Sequence, residues 1–83
     1  MLPTNTTVEI VSQLLVERFG VDENKVGNDL VFSRDLGADS LDIIEVVMQL
    51  EDKFEIRIAD DDLENIQTMG DLVRIIDHEV ASK

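Results

Sequence analysis

Apolar residues recur every three or four positions in four stretches of the chain, and polar segments separate these stretches. That spacing is typical of amphipathic helices that turn one face toward a core. It predicts four helices, over approximately residues 7–19, 40–54, 61–66 and 69–81. We therefore expect an all-α fold, a small bundle of three main helices plus one short helix, in one domain that spans residues 1–83.

Residues that favour helix ends stand at the borders of these stretches. An Asp or Thr followed three residues later by an acid can form a capping box, in which each side chain accepts a hydrogen bond from the other residue's backbone N–H. The predicted boxes are Thr6/Glu9, Asp39/Asp42 and Thr68/Asp71, and Gly20 stands where a helix-ending glycine belongs.

Two connections between the predicted helices carry apolar residues. The first, over residues 20–39, is rich in turn residues, and we expect its apolar side chains to hold it on the core as a long ordered loop; they are Val21, Val26, Leu30, Val31, Phe32 and Leu36. The second, "FEIRIA" at 54–59, alternates like a short strand. We interpret it as an extended connector that Ile56 and Ile58 anchor.

The helix predicted at 40–54 has two apolar stripes. At roughly 100° per residue, one stripe spans about 60° and the other is centred about 120° away. The first stripe is Ile43, Val47, Leu50 and Phe54, and the second is Leu41, Ile44 and Met48. A surface helix needs one apolar face for the core. The second stripe is therefore either buried by a bundle that wraps the helix widely or exposed as a docking patch with an acidic rim.

Charge narrows the classes of partner. The chain of 83 residues has 19 acids against seven bases, a net charge of −12, and residues 35–65 alone contribute −9. Such a protein repels nucleic-acid phosphates and attracts basic protein surfaces, although an acidic surface can also serve solubility alone. The chain contains no cysteine and no apolar run long enough to cross a bilayer. We expect a soluble cytoplasmic monomer without membrane insertion.

Candidate catalytic chemistry is sparse. The single histidine, His78, is remote in sequence from Ser40, and "GADSL" is not a nucleophile elbow. An EF-hand count from Asp60 puts Asn65 where glycine is needed and Asp71 where glutamate is needed. We therefore expect neither catalytic residues nor a metal site.

Ser40 is the residue whose role decides the function. It follows the predicted cap Asp39, so its hydroxyl should lie at the positive end of a helix dipole, where a phosphate ester would be stabilised. The same position also suits an ordinary helix-start serine with no modification. The spacing alone leaves both alternatives open.

The stretch "LGADSLDIIEVVMQLEDKFEI" closely resembles the signature of acyl carrier proteins, and the likeness extends over nearly the whole chain. The resemblance implies a non-catalytic carrier in which a phosphopantetheinyl transferase attaches 4′-phosphopantetheine to Ser40. The arm's thiol would then hold acyl chains as thioesters for the acyl-transferring and chain-elongating enzymes of fatty-acid biosynthesis.

The resemblance also implies roles for other residues. Asp39 and Leu41 would help the transferase to recognise the serine. The positions expected to meet partner enzymes with basic patches are Asp42, Ile44, Glu45, Met48, Glu51, Asp52, Asp60 and Glu64, and Leu41 shares this docking face. The candidate walls of an acyl-chain cavity are Val47, Leu50, Phe54, Leu63, Ile66, Ile75 and Ile76.

Two departures from the family pattern keep other functions open. Ala59 stands where fatty-acid carriers commonly have proline, and Arg57 adds a positive charge to the acidic stretch. A dedicated carrier for a specialised acyl or polyketide pathway is the alternative within the family. An unmodified acidic helical adaptor and a calcium-responsive protein are the alternatives outside it.

Overall fold

Five α-helices carry the fold in the computed structural model, which describes residues 7–82. They are α1 (Thr7–Phe19), α2 (Phe32–Asp35), α3 (Ser40–Phe54), α4 (Asp60–Glu64) and α5 (Met69–Ala81). A 3₁₀ turn at Glu23–Lys25 follows α1. Helix α1 packs against both α5 and α3. The predicted all-α bundle of three long helices is confirmed, and the Thr6 cap lies outside the described residues.

Aliphatic side chains from the three long helices form most of the core, and buried residues of the connecting segments complete it. The residues with no exposed surface include Val11 and Leu15 of α1, Leu50 of α3 and Leu72 and Ile76 of α5. Each such side chain stabilises the fold by about 1.5–3 kcal/mol relative to its exposed state. These residues recur at helical spacing, which is why the amphipathic pattern predicted the long helices correctly.

The segment between α1 and α3 is more structured than the predicted loop. Leu30 and Phe32 are buried, and Val26 and Leu36 pack against the core, as expected. The prediction missed α2, a single helical turn that begins at the buried Phe32. The carboxylate of Asp35 accepts a hydrogen bond of 2.8 Å from the N–H of Val31 at the start of this turn.

Backbone hydrogen bonds tie this segment to the start of α5. Phe32 donates to the carbonyl of Gln67 at 3.0 Å, and Met69 donates to the carbonyl of Leu30 at 2.9 Å. Gly70 donates to the carbonyl of Asn28 at 3.0 Å, and a Cβ atom at Gly70 would lie 3.0 Å from that same oxygen. Glycine therefore permits the close approach that fixes the segment.

Helix α3 ends in a turn that positions the connector to α4. Glu55 adopts a left-handed conformation with φ of 55°, and the carbonyl of Glu51 accepts the N–H of Ile56 at 3.1 Å. The carboxylate of Glu51 also accepts the N–H of Ile58 at 2.8 Å. Ile56 and Ile58 are buried, which confirms the predicted extended connector.

The predicted limits of the fourth element were wrong. The expected helix at 61–66 begins one residue earlier, at Asp60, and ends at Glu64. The N–H groups of Asn65 and Ile66 donate to carbonyls three residues back, at 3.1 and 3.3 Å, so the last turn tightens and stops. Ile66 is buried outside the helix, and this anchor supplied the misleading helical spacing.

Candidate functional site

Ser40 is the first residue of α3, and its side chain is exposed. The Asp39 carboxylate accepts the N–H of Asp42 at 3.0 Å, and the Asp42 carboxylate accepts the N–H of Asp39 at 3.2 Å. This is the predicted capping box. Both acids thus bind the backbone of the helix start and hold it in place, while the serine hydroxyl takes no part in the cap.

The residues before the cap fix the approach to Ser40. Gly37 has φ of 64°, a left-handed conformation that glycine adopts without strain. Ala38 is buried and donates its N–H to the carbonyl of Phe32 at 3.1 Å. The chain therefore enters α3 from an anchored turn, which points the helix start and Ser40 toward solvent.

The second apolar stripe of α3 is exposed. Leu41 retains 70% of its surface, Met48 58% and Ile44 39%, whereas Val47 and Leu50 on the core stripe are buried. The alternative in which the bundle buries both stripes is therefore wrong. We call the exposed set Leu41, Ile44 and Met48 the apolar patch. An apolar patch with polar surroundings is typical of protein docking sites.

The acids around the apolar patch have different partners. The carboxylate of Glu45 forms an ion pair with Arg18 at the end of α1. Asp42 belongs to the capping box, and the Glu51 carboxylate binds the connector through Ile58. The other three predicted docking acids, Asp52, Asp60 and Glu64, are exposed.

An apolar cleft of about 370 Å³ opens beside Ser40, between α3 and the region of α4. Its lining residues are Ser40, Ile43, Ile44, Leu63, Glu64 and Ile66. Two of the predicted cavity walls, Leu63 and Ile66, are among them. Ile43 and Ile44 were missed, although they stand three and four positions after Ser40 and so share its side of the helix.

The remaining predicted cavity walls do not line this cleft. Val47, Leu50 and Ile76 are buried in the closely packed core, while Phe54 and Ile75 pack partly exposed against it. A separate void of about 10 Å³ lies among core residues that include Phe32 and Val46. It has room for at most one water molecule. The space available next to Ser40 is thus the surface cleft.

The described residues offer little for other chemistry. His78 lies exposed in α5. Within residues 7–82, no three His, Asp or Glu side chains are grouped so that they could hold a metal ion. The same part of the chain contains no helix that is both long and apolar enough to cross a membrane.

Residues 9–76 match the family model described as "Phosphopantetheine attachment site". Solved acyl carrier proteins are also similar to the chain. The one from Enterococcus faecalis is 33% identical with a TM-score of 0.77, over 88% of this chain and 92% of that chain. The chain belongs to the acyl carrier protein family.

Two further carriers extend the comparison. The acyl carrier protein from Thermotoga maritima is 32% identical with a TM-score of 0.76, over 88% of this chain and 85% of that chain. The hexanoyl acyl carrier protein from the actinorhodin polyketide synthase of Streptomyces coelicolor is 29% identical with a TM-score of 0.80, over 98% of both chains. The fold of this chain is thus also that of a carrier from a polyketide synthase.

The residues present fit the cofactor of the family, 4′-phosphopantetheine, which acyl carrier proteins carry covalently. A phosphodiester needs an accessible hydroxyl, and Ser40 is exposed. It also benefits from the partial positive charge at the start of a helix, and Ser40 is the first residue of the 15-residue α3. The apolar cleft beside it suits an aliphatic chain.

Proposed function

We propose that this protein carries acyl chains as thioesters on a 4′-phosphopantetheine arm at Ser40 and delivers them to fatty-acid synthesis enzymes. The observation that carries the proposal is the exposed Ser40 at the start of α3, next to both the cleft and the apolar patch. The carrier itself would catalyse nothing. Its cytoplasmic and monomeric state, expected from the sequence, stays a prediction.

The chain's own contribution is to present one hydroxyl. The oxygen of Ser40 would attack the pantetheine-bearing phosphorus of coenzyme A and lose its proton to the transferase, while adenosine 3′,5′-bisphosphate leaves. When bound, the arm supplies the thiol that forms the thioester. Asp39 and Leu41 flank the hydroxyl, one holding the helix start and the other offering an exposed apolar contact to the transferase.

Incubation with a phosphopantetheinyl transferase and coenzyme A tests the attachment. We expect the intact mass to rise by one phosphopantetheine in the native protein and not at all in Ser40→Ala. Ser33→Ala is the matched control, because Ser33 is also exposed on a helix. A mass increase that persists in Ser40→Ala would refute attachment at Ser40. The absence of any mass increase in the native protein would refute the proposal and favour the unmodified adaptor.

The apolar patch and its acidic rim would form the docking face for basic partner enzymes. Electrostatic complementarity raises association rates and is screened by salt. We expect Glu45→Lys to weaken turnover by a chain-elongating synthase with little loss of stability, because the Glu45 side chain is more than half exposed and its ion pair contributes little to stability. Unchanged turnover would remove this face from the proposal.

The cleft between α3 and the α4 region would shelter part of the acyl chain. Leu63 and Ile66 form one wall, and Ile43 and Ile44 form the other. Loading the carrier should shift the methyl NMR signals of these residues. Identical spectra of the loaded and unloaded protein would show that the acyl chain stays in solvent, and would contradict this role of the cleft.

A dedicated polyketide carrier is the second candidate. The polyketide synthase carrier from Streptomyces coelicolor matches 98% of this chain, and Ala59 departs from the proline common in fatty-acid carriers. Mass spectrometry of protein purified from its source separates the two candidates. Saturated acyl chains of even length would support fatty-acid synthesis, whereas polyketone cargo would support the alternative.

A further inference from the structure

An ion pair occupies the middle of the proposed docking face. Glu45 stands four residues after Leu41 and three before Met48, so it lies on the same side of α3 as these two residues. Its carboxylate is bound by the guanidinium of Arg18, which reaches across from the last turn of α1. The acid best placed to meet a partner's cation already has a cation from its own chain.

The exposure of the two side chains shows how a partner could compete. Glu45 retains 57% of its side-chain surface, whereas Arg18 retains 26%. The carboxylate is therefore accessible from solvent, while the arginine lies mostly against the protein. Solvent-exposed ion pairs are weak, so an incoming cation can displace this one.

The position of Arg18 holds it near Glu45 after displacement. It lies in the last turn of α1, where the helix dipole favours a positive charge. Helix α1 also packs against α3. The guanidinium thus remains a local competitor, and no comparable cation is paired with Asp52, Asp60 or Glu64 among the described residues.

We propose that Arg18 is a specificity-determining residue of the docking face, an internal counter-ion that weakens binding of every basic partner and selects those able to displace it from Glu45. This inference rests on the proposed carrier function. A partner with a guanidinium or a pair of lysines against Glu45 would compete well. A partner that relies on a single diffuse positive charge would be disfavoured.

The test is a double-mutant cycle in the full chain, with the phosphopantetheinyl transferase as the basic partner. All variants carry Ser40→Ala, so that calorimetry measures the dissociation constant without turnover. The variants are Arg18→Gln, Glu45→Gln and the pair together. Arg34→Gln is the matched control, because Arg34 is another surface arginine in an ion pair, with its neighbour Asp35 on α2, and its loss changes the net charge equally.

We expect Arg18→Gln to tighten binding by about two- to fivefold at low salt, the range typical of one exposed ion pair. Arg34→Gln should have a clearly smaller effect. In the Glu45→Gln background, Arg18→Gln should have no effect beyond that of Arg34→Gln, because the carboxylate for which the two cations compete is gone. Arg18→Lys should lie between the native protein and Arg18→Gln.

Four results would overturn the inference. The first two are tightening by Arg18→Gln that only equals that of Arg34→Gln, and tightening that is equal in the native and the Glu45→Gln backgrounds. The other two are weaker binding of Arg18→Gln and the failure of every variant to bind the transferase. Should Arg18→Gln fail to melt cooperatively, Arg18→Lys would take its place in the cycle. Transfer of phosphopantetheine to the native protein, read by mass, reports separately on the carrier function. Transfer without coupling between Arg18 and Glu45 would refute the inference alone.

Discussion

Helices α3 and α5 both begin with a capping box, but the first side chain is exposed in α3 and buried in α5. Each starts with a complete capping box, Asp39 with Asp42 in α3 and Thr68 with Asp71 in α5. The residue after the cap is exposed Ser40 in the first helix and fully buried Met69 in the second. The cap fixes where a helix starts, but packing decides whether its first side chain serves stability or function.

The largest expected difference in stability appears when the first residue of each helix is replaced by alanine. Met69→Ala removes a fully buried side chain and should cost about 2–5 kcal/mol of the free energy of unfolding. Ser40→Ala should change it by less than about 0.5 kcal/mol, because the side chain is exposed and outside the cap. Urea denaturation of both variants checks this. A cost for Ser40→Ala near that for Met69→Ala would give Ser40 a structural role.

The two capping boxes should contribute similar amounts to the free energy of unfolding. Asp39→Ala and Thr68→Ala each remove the side-chain acceptor for the third helical N–H, at 3.0 and 3.1 Å. We expect each to lower the free energy of unfolding by about 1 kcal/mol. Asp39→Ala should also slow modification of Ser40, whereas Thr68→Ala should leave that rate unchanged. Equal rates for the two variants would show that the α3 cap does not position the serine.

Acid should weaken the α5 cap. Burial raises the pKa of Asp71. Hydrogen bonds from the N–H groups of Gln67 and Thr68, together with the nearby Arg74, lower this pKa by more than burial raises it, so it lies below the usual 3.8. The unfolded chain therefore takes up this proton first as the pH falls. The stabilisation is complete above the unfolded value and disappears as the pH drops through the folded value.

The measurement is the free energy of unfolding of the native protein and Asp71→Asn between about pH 6 and pH 3. The native protein should be more stable at the upper end, and the difference should shrink toward the lower end. A difference that is constant over this range would contradict the assigned shift. Asn keeps an acceptor for the capping hydrogen bonds and so isolates the charge.

The start of α4 extends the comparison, because it has no side-chain cap. Ala59 has φ of −68°, the value that proline requires, and its carbonyl accepts the N–H groups of Asp62 and Leu63 at 3.0 and 3.1 Å. Ala59→Pro should therefore raise the free energy of unfolding by about 0.5 kcal/mol by restricting the unfolded chain. Thermal denaturation checks it, with Ala59→Gly as a control that should destabilise. A loss of stability in Ala59→Pro would show that the connector cannot accept the ring.

The three long helices and the caps of α3 and α5 could be predicted from the sequence because they depend on local interactions. Amphipathic spacing fixed the bounds of α1, α3 and α5, and the cap residues lie within four positions of the groups they bind. Ser40 could be singled out from its place after Asp39 and from the resemblance of "GADSLD" to carrier signatures. The sequence did not decide whether the second stripe of α3 is buried or forms the exposed apolar patch.

Tertiary structure decided the features that join distant parts of the chain. Short α2 exists because Phe32 is buried and the backbone around it pairs with residues 67–70. Packing of α1 and α5 leaves the second stripe of α3 uncovered and brings Arg18 to Glu45, 27 positions away. No local pattern encodes such contacts. The sequence determined where the three long helices begin and that Ser40 follows the α3 cap, and packing determined what surrounds that serine.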